Sequence, residues 1–258
     1  MIFKINQISW YYYQFSSHLE PMNIEEYYKT EGSKLSFTRQ QASDFAKNVA
    51  GDFNPIHDVD SKRFCVPGDL LFSVIIHHYG LRQNMIFNFS GMVGDQVELI
   101  LPEKDSDSEH LALMDDKEKK YLAMECSGNS TTNKDLIVSL TKHYVEFSSQ
   151  AFPHIIVPLM SEQNVMINPD RPLIIYESMS LELSSLDIDS VDLELSKKSL
   201  QVTGKRGGLT LEYDLLSEGS KVGRGCKRMV LSGLREYDQP SMQGLTDYYE
   251  NRKIKFSS

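Results

Sequence analysis

Residues 51–60, GDFNPIHDVD, combine three aspartates, an asparagine and a histidine within ten positions. Side chains of these types suit three kinds of segment. They could form a metal-binding loop, a polar surface turn, or an acid–base site built from Asp52 and His57. The spacing of the residues and the elements around them decide which interpretation is favoured.

A metal site is the weakest of the three interpretations. A calcium-binding EF-hand loop needs oxygen ligands at alternating positions, a glycine in mid-loop and a later glutamate. Pro55 and Ile56 interrupt that pattern, and the segment has no mid-loop glycine. A transition-metal site made from His57, Asp58 and Asp60 lacks a second pair of ligands at a matching spacing. We therefore predict that no metal is bound here, and that Asp58 and Asp60 are peripheral.

The choice between a turn and an acid–base site depends on the element downstream of the loop. Aspartate and asparagine bond to their own backbone, so Asp-x-Asn-Pro alone is typical of a turn. Here an apolar helix is predicted as the next element after the loop, and a helix N-terminus offers unpaired N–H groups and partial positive charge to a ligand oxygen. A carboxylate and an imidazole that meet at one water can activate it and deliver its proton. Asp52 and His57 are the candidate pair.

Hydrophobic periodicity predicts the elements that position this loop. Thr38 and Gln41 have the spacing of a capping box, and an apolar face comes after them, which predicts a helix at residues 38–49. Residues 68–80 predict a helix that is apolar on nearly every side and therefore buried inside a sheet. Strands are predicted next at residues 85–92, 96–101, 121–126 and 136–147, with a solvated hairpin or loop at 105–120.

The second half of the chain repeats this order. An apolar helix is predicted at residues 151–164, kinked or delayed by Pro158. Strands are predicted next at residues 173–183, 191–195, 209–215 and 222–235, and then a polar C-terminal helix at 239–255. Each half is one buried helix and then about four strands, which predicts a duplicated α+β architecture.

The run GDFNPIH at residues 51–57 resembles the signature of the MaoC-like hydratases, which include the (R)-specific enoyl-CoA hydratases. Gly, Asp, Asn, Pro and His all stand at that family's spacing, and strong similarity covers residues 37–76. The whole chain is similar to an uncharacterised bacterial family that carries this motif. The resemblance implies the α+β hot-dog fold, in which an antiparallel sheet wraps a long central helix. With two such helices, we expect a double, fused hot dog.

The resemblance also implies roles for four residues. Asp52 and His57 would activate the water that adds to an enoyl thioester. Asn54 would help to hold the site, and the N–H of Gly68 would bind the thioester oxygen. Lys62 and Arg63 are candidates for contact with the phosphates of coenzyme A, with a solvated surface as the alternative.

The start of the buried helix departs from the hydratase pattern. The hydratases have His-Gly-Met there, whereas this chain has Pro67-Gly68-Asp69, which is closer to the β-hydroxyacyl-ACP dehydratases. The segment from His57 to Gly68 is also shorter, which implies a rebuilt wall for the acyl pocket. An ionised Asp69 aimed inward would oppose a developing enolate, whereas as a helix N-cap it would be favourable. We interpret Asp69 as the N-cap, and we place it with Gly68 among the candidate substrate-binding residues.

Composition limits the classes of function. The chain has 258 residues and a formal net charge of -9, which argues against nucleic-acid binding. Three widely spaced cysteines form neither a disulfide framework nor a zinc motif, and no apolar run is long enough to span a bilayer. These features predict a cytoplasmic protein without membrane contact. Cys65, near the motif, is expected to be a small buried residue and not a nucleophile.

Together these observations predict an acyl-thioester hydratase or dehydratase with an Asp/His pair, acting on acyl-CoA or on an acyl-carrier protein without a cofactor. A non-catalytic acyl-thioester-binding protein and an acyl-CoA thioesterase are the alternatives, and a homodimer is compatible with each. The predicted organisation is a poorly ordered extension at residues 1–30, a hot-dog unit at 31–150, a degenerate second unit at 151–238, and a C-terminal helix at 239–258.

Overall fold

The computed structural model describes residues 23–104 and 108–257. The described chain opens with a 3-10 turn, Ile24–Tyr27, and a hairpin of β1 (Lys29–Glu31) and β2 (Lys34–Ser36). Of the predicted extension, residues 1–22 lie outside the described residues. Residues 23–30 contain the turn and the first residues of β1, and Ile24 is buried in the core.

The predicted helix at residues 38–49 is confirmed, with a change of geometry in its middle. Helix α1 (Arg39–Asp44) begins at the predicted capping box: the N–H of Gln41 donates to the Thr38 hydroxyl, and the N–H of Thr38 donates to the Gln41 side chain. The helix continues as a π-helical segment, Phe45–Ala50, and ends at Gly51. Gly51 has φ +66°, a left-handed conformation that favours glycine and turns the chain into the motif loop.

The buried helix is also confirmed, as α2 (Gly68–Tyr79). Its residues 69–76 are all buried. Four strands come after it: β3 (Leu81–Phe89), β4 (Leu99–Ile100), β5 (His110–Met114) and β6 (Lys120–Thr131). The predicted hairpin within residues 105–120 contributes β5 and the turn into β6.

The predicted strand at residues 136–147 is wrong, because these residues belong to helix α3 (Lys134–Ala151). Asn133 caps this helix, since its side chain accepts from the N–H groups of Asp135 and Leu136. Leu136, Leu140 and Tyr144 recur at the helical interval of four and are buried, so tertiary packing outweighs the strand propensity of the β-branched and aromatic residues.

The predicted second helix, at residues 151–164, is therefore the end of a longer helical region. After α3 the chain passes through a π-helical segment, Phe152–Ile156, into α4 (Val157–Glu162), with Pro158 in its first turn. The proposed boundary between units at residues 150 and 151 falls inside this region. The remaining elements are β7 (Val165–Met166), β8 (Ile174–Leu183), β9 (Asp192–Thr203), β10 (Arg206–Ser217), β11 (Ser220–Ser232), β12 (Arg235–Glu236) and α5 (Gln239–Ser257).

Within the described residues, ten strands form one antiparallel sheet in the order β1-β2-β4-β5-β6-β3-β8-β11-β10-β9, and β7 pairs separately with β12. The two halves of the sheet meet at the pair β3 and β8, in register at Met85 and Leu181. Outward from this pair, the order β3-β6-β5-β4 on one side mirrors β8-β11-β10-β9 on the other. Helices α2 and α3 pack against each other, with the rings of Phe72 and Tyr144 4.8 Å apart. The protein therefore has an α+β double hot-dog fold.

Candidate active site

The motif loop is built from its own backbone contacts. The N–H of Asp52 donates to the carbonyl of Ala46 at 2.7 Å, and the Asp52 carboxylate accepts from the N–H of Asn54 at 2.9 Å. The Asn54 side chain accepts from the N–H of Ile56 at 3.2 Å and thereby caps a single 3-10 turn, Pro55–His57. Asn54 thus fixes the turn that carries His57.

Asp52 and His57 are brought together, as predicted. His57 Nε2 lies 3.6 Å from Asp52 Oδ2, and the histidine is 9% exposed. The other ring nitrogen, Nδ1, lies 2.6 Å from the carbonyl oxygen of Cys65. Because a carbonyl only accepts, Nδ1 carries the hydrogen, and in the neutral ring Nε2 is left with a lone pair facing the carboxylate.

Helix α5, near the C-terminus, packs against this loop. The Tyr249 hydroxyl lies 3.3 Å from Asp52 Oδ1 and accepts from the N–H of Phe53. Burial, and then the neighbouring Asp52 charge, raise the pKa of Tyr249, so the phenol stays protonated. Arg252 donates to the carbonyl of Phe53 at 3.0 Å and binds both carboxylate oxygens of Asp58 at 2.5 and 2.7 Å. Asp58 is therefore an anchor for α5, outside the acid–base pair.

Gly68 opens α2 beneath an aromatic ring. A Cβ atom at this position would lie 2.7 Å from Cδ2 of Tyr176, which leaves room only for glycine unless the ring moves. The first N–H groups of a helix have no acceptor within it, so the N–H of Gly68 is available to a ligand oxygen. Gly68 therefore has the backbone position that the resemblance implied.

The interpretation of Asp69 as the N-cap is wrong. Pro67 occupies that position, and no side chain caps the helix. Asp69 lies inside the first turn of α2 and is 5% exposed. Its Oδ2 accepts from the hydroxyls of Ser148 at 2.6 Å and Tyr176 at 2.8 Å, and its Oδ1 lies 3.5 Å from Lys227 Nζ. The Asp69 carboxylate, whose charge could oppose an enolate, is thus bound by two hydroxyls and one ammonium.

Lys227 completes this buried cluster. The side chain is 1% exposed; its ammonium contacts Ser148 Oγ and lies 3.6 Å from the ring centroid of Tyr176. Burial lowers the pKa of Lys227 to about 8, while Asp69 acts in the opposite direction. We refer to Asp69, Ser148, Tyr176 and Lys227 as the polar tetrad.

Three members of the polar tetrad were missed by sequence reasoning. Ser148 directly followed a segment predicted as a strand, and Tyr176 lay in a strand without a motif. A signal for Lys227 exists in β11, where buried and more exposed positions alternate and Lys227 falls in the buried phase with Gly225, Met229 and Leu231. A lysine in the apolar phase of a strand requires a buried partner.

The acid–base pair and three members of the polar tetrad, Asp69, Ser148 and Tyr176, face one cavity of about 170 Å³. Its polar lining includes Asp52, His57, Asp69, Ser148 and Tyr176, and the backbone of Gly68 also lines it. Its apolar lining comes from both halves of the chain, for example Phe89 and Val93 from the first and Ile174 and Met229 from the second. The cavity therefore combines an apolar wall with a few convergent polar groups, which is typical of a small-molecule site.

Two of the remaining candidate residues, Lys62 and Arg63, lie apart from this cavity. Lys62 and Arg63 are exposed and do not line it, so their contact with coenzyme A phosphates stays a prediction. Cys65 does line it, but burial raises the pKa of its thiol to about 11, which keeps it protonated.

Among residues 23–104 and 108–257, no group of three or more His, Cys, Asp or Glu side chains could hold a metal ion. Within the same ranges, no helix is long and apolar enough to cross a membrane.

The fold and site define a class: a double hot-dog protein with a carboxylate–imidazole pair in a cavity between its halves. More narrowly, the chain belongs to the family described as Protein of unknown function (DUF3581), whose sequence model matches residues 22–240. Tyr249 and Arg252 lie beyond the matched range. A comparison with curated proteins finds no match.

Several solved structures of thioesterases resemble this chain at low identity. A protein from Thermobifida fusca YX, described provisionally as a thioesterase II, is 8% identical, with a TM-score of 0.43 over 79% of this chain and 94% of its own. The acyl-CoA thioesterase II of Mycobacterium marinum is 8% identical, with a TM-score of 0.39 over 83% and 99%. An acyl-ACP thioesterase from Bacteroides thetaiotaomicron is 9% identical, with a TM-score of 0.32 over 66% and 92%.

Proposed function

We propose that this protein processes acyl thioesters by adding water, and that Asp52 and His57 activate the water. The observation that carries the proposal is the 3.6 Å separation of His57 Nε2 and Asp52 Oδ2 at the wall of a largely apolar cavity. Two acceptors at this distance can bind the two hydrogens of one water and orient its oxygen lone pair toward a ligand. The acyl group would come from acyl-CoA or from an acyl-carrier protein.

Hydration of an enoyl thioester is the reaction that fits an acid–base pair. The water oxygen bonds to C3 of the enoyl group as one of its protons passes to the pair, and a proton is delivered to C2. Negative charge develops on the thioester oxygen, where the N–H of Gly68 can donate to it. His57 can both accept and return the proton because its Nδ1–H stays bound to Cys65. The reverse sequence is dehydration of a 3-hydroxyacyl thioester.

The charge of Asp69 does not oppose this reaction. Its carboxylate is bound by Ser148 and Tyr176 and lies beside the ammonium of Lys227. A carboxylate held by two hydroxyls and a buried cation presents little net negative potential to the N–H of Gly68 next to it. The departure from the hydratase sequence at this position is therefore compensated within the fold.

Hydrolysis of the thioester is the second candidate. It is favoured by one observation, the presence of a second carboxylate and two hydroxyls in the same cavity, at Asp69, Ser148 and Tyr176. The activated water would then bond to the carbonyl carbon, and the carbon–sulfur bond would break to release a thiol and a carboxylic acid. A thiolate leaves readily without being protonated. Hydrolysis therefore does not require His57 to deliver a proton to the leaving group, whereas hydration requires a proton to be delivered to C2.

One set of assays separates these reactions. Enoyl-CoA and enoyl-carrier thioesters of increasing chain length are incubated with the protein, and loss of enoyl absorbance is followed beside release of free thiol. Loss of absorbance without thiol indicates hydration, and thiol release indicates hydrolysis. If neither occurs with any chain length or carrier, the proposal of water addition fails. Thermal stabilisation by the same ligands without turnover would identify a non-catalytic binding protein.

A further inference from the structure

The polar tetrad joins four different elements, and all of its members except Lys227 line the cavity. Asp69 belongs to α2, Ser148 to α3, Tyr176 to β8 and Lys227 to β11. We propose that Ser148 is a second reactive centre, a nucleophile activated by Lys227 that accepts the acyl group of a thioester bound in the cavity. This activity goes beyond water addition, and its first step requires neither Asp52 nor His57.

The position of Ser148 meets the geometric requirements for a nucleophile. It lines the cavity and is 7% exposed, so bulk water has little access to its hydroxyl. Its Oγ contacts Lys227 Nζ and lies 2.6 Å from Asp69 Oδ2. A serine hydroxyl is a weak nucleophile until a neighbouring base takes its proton, and a base oriented by a third group is the usual arrangement.

Lys227 has the surroundings of such a base. Its amine is packed over the ring of Tyr176 at 3.6 Å, with a second ring, Tyr144, at 5.3 Å. Desolvation in this environment disfavours the ammonium, and it outweighs the opposing charges of Asp69 and Asp52. The pKa of about 8 leaves an appreciable neutral fraction under mildly alkaline conditions. Asp69 and the two rings hold the amine in place.

The acyl transfer balances without any further reactant. When Lys227 is neutral, the Ser148 hydroxyl turns its hydrogen from Asp69 Oδ2 to Lys227 Nζ. The amine takes this proton, and Oγ bonds to the thioester carbonyl carbon. The carbonyl oxygen becomes an oxyanion, to which the N–H of Gly68 can donate. The carbon–sulfur bond then breaks, and the leaving thiolate takes the proton from Lys227. The products are a free thiol and an acyl ester of Ser148.

Removal of the acyl group connects the two centres and rests on the proposed function. A water activated by Asp52 and His57 bonds to the ester carbonyl carbon, and the carbon–oxygen bond to Ser148 breaks. Ser148 recovers a proton, and the acyl group leaves as a carboxylic acid. Loss of Asp52 should therefore slow this second step and leave the first intact, so that the ester accumulates.

The test is intact-mass spectrometry of the full chain after incubation with saturated acyl-CoA thioesters, which cannot be hydrated. In the Asp52→Asn variant we expect the mass to increase by one acyl group. Peptide mapping should locate this acyl group on Ser148. Ser148→Ala should abolish the adduct. Ser149→Ala is the matched control, because its Oγ donates to the Glu146 carbonyl outside the polar tetrad. It should retain the adduct.

A fluorophosphonate probe tests the same serine independently of thioester binding. Labelling of wild type that is lost in Ser148→Ala supports the proposal. Absence of both the acyl adduct and the fluorophosphonate label in folded wild type and folded Asp52→Asn would overturn it. So would an adduct that survives Ser148→Ala. Enoyl hydration that depends on Asp52, without any adduct, would leave the proposed function standing and overturn only this inference.

The role of Lys227 needs a variant that keeps the fold. Lys227→Met alone leaves a buried carboxylate without its cation, so the double variant Asp69→Asn with Lys227→Met is the better reagent. We expect at least a tenfold slower acylation of Ser148 in the double variant than in Asp69→Asn alone. Equal rates would show that Lys227 only neutralises Asp69.

Discussion

His57 Nε2 faces Asp52 Oδ2 across 3.6 Å, while the opposite ring nitrogen is held by the carbonyl of Cys65 at 2.6 Å. The two contacts determine the tautomer and the direction of the ring together. They point a proton acceptor at a carboxylate, and both groups line the cavity, where one water can contact the two of them. The pair is therefore preorganised by the loop backbone before any ligand binds.

Asp52→Asn should reduce turnover of acyl thioesters by about 10²–10⁴-fold, because an amide cannot take a proton from the water. The change is isosteric, so the thermal midpoint should move little. Asp60→Asn, in the same loop but exposed, is the matched control and should retain activity. Turnover is measured for both variants with enoyl-CoA and saturated acyl-CoA. Equal activity of Asp52→Asn and Asp60→Asn would contradict the assignment of Asp52.

Gly68→Ala should impair both stability and ligand binding. The added Cβ would lie 2.7 Å from the ring of Tyr176, and relieving this contact should cost about 1–3 kcal/mol of the free energy of unfolding. The displaced ring would also narrow the approach to the Gly68 N–H. Gly94→Ala is the control, since nothing lies within 4 Å of its added Cβ. Chemical denaturation and ligand-induced thermal shifts measure the two effects. A stable, ligand-binding Gly68→Ala variant would refute this geometry.

The buried amine of Lys227 predicts a pH dependence of stability. Its pKa falls from 10.5 in the unfolded chain to about 8 in the folded protein, so the unfolded state binds more protons between these values. The contribution of Lys227 to the free energy of unfolding is therefore lowest below pH 8 and rises with pH, by up to about 1.4 kcal/mol per unit. Above pH 9 the raised pKa of Cys65 acts in the opposite direction.

Urea denaturation between pH 7.5 and 9 measures this dependence. Wild type should gain stability relative to the Asp69→Asn, Lys227→Met double variant as the pH rises through this window. The double variant is the control because it lacks the titrating amine while keeping the other ionisable groups outside the polar tetrad. Parallel pH profiles for the two proteins would show that Lys227 stays charged throughout.

Arg252→Ala should weaken the attachment of α5 to the motif loop. Arg252 and Asp58 form a two-pronged pair with side chains 22% and 15% exposed, so its loss should lower the free energy of unfolding by about 2 kcal/mol. The pair Arg224 and Glu182 has the same chemistry but is 68% and 53% exposed. Arg224→Ala should therefore cost clearly less than Arg252→Ala. Similar losses for the two variants, measured by denaturation, would contradict an anchoring role.

The parts of the fold with strong local signals were predictable. The capping box at Thr38 and Gln41 formed as expected, because both of its hydrogen bonds lie within four residues. Residues 68–80 were recognised as a buried helix from their apolar composition and the glycines at each end. The predicted strands of the second half overlap β8 to β11, because alternation of apolar and polar residues between two turns identifies a strand from the local sequence.

Residues 136–147 show where local reading fails. Their Val, Tyr and Phe content favours a strand, and only packing of Leu136, Leu140 and Tyr144 against the core makes them helical. The same error concealed Ser148, because it directly follows a segment that was read as a strand. Asp69 was misassigned for a related reason: a polar residue near a helix start is usually a cap, and its partner Lys227 lies 158 positions away.

The motif, its 3-10 turn and most of the helices and strands follow from the local sequence. Asp52, Asn54 and His57 are close in the chain, and their geometry results from backbone contacts within a few residues. The groups that face them depend on the tertiary structure. The polar tetrad, the cover of α5 and the cavity arise from residues brought together across the pairing of β3 with β8 and the packing of α2 on α3. Burial and charge compensation are properties of that assembly, and no local pattern specifies them.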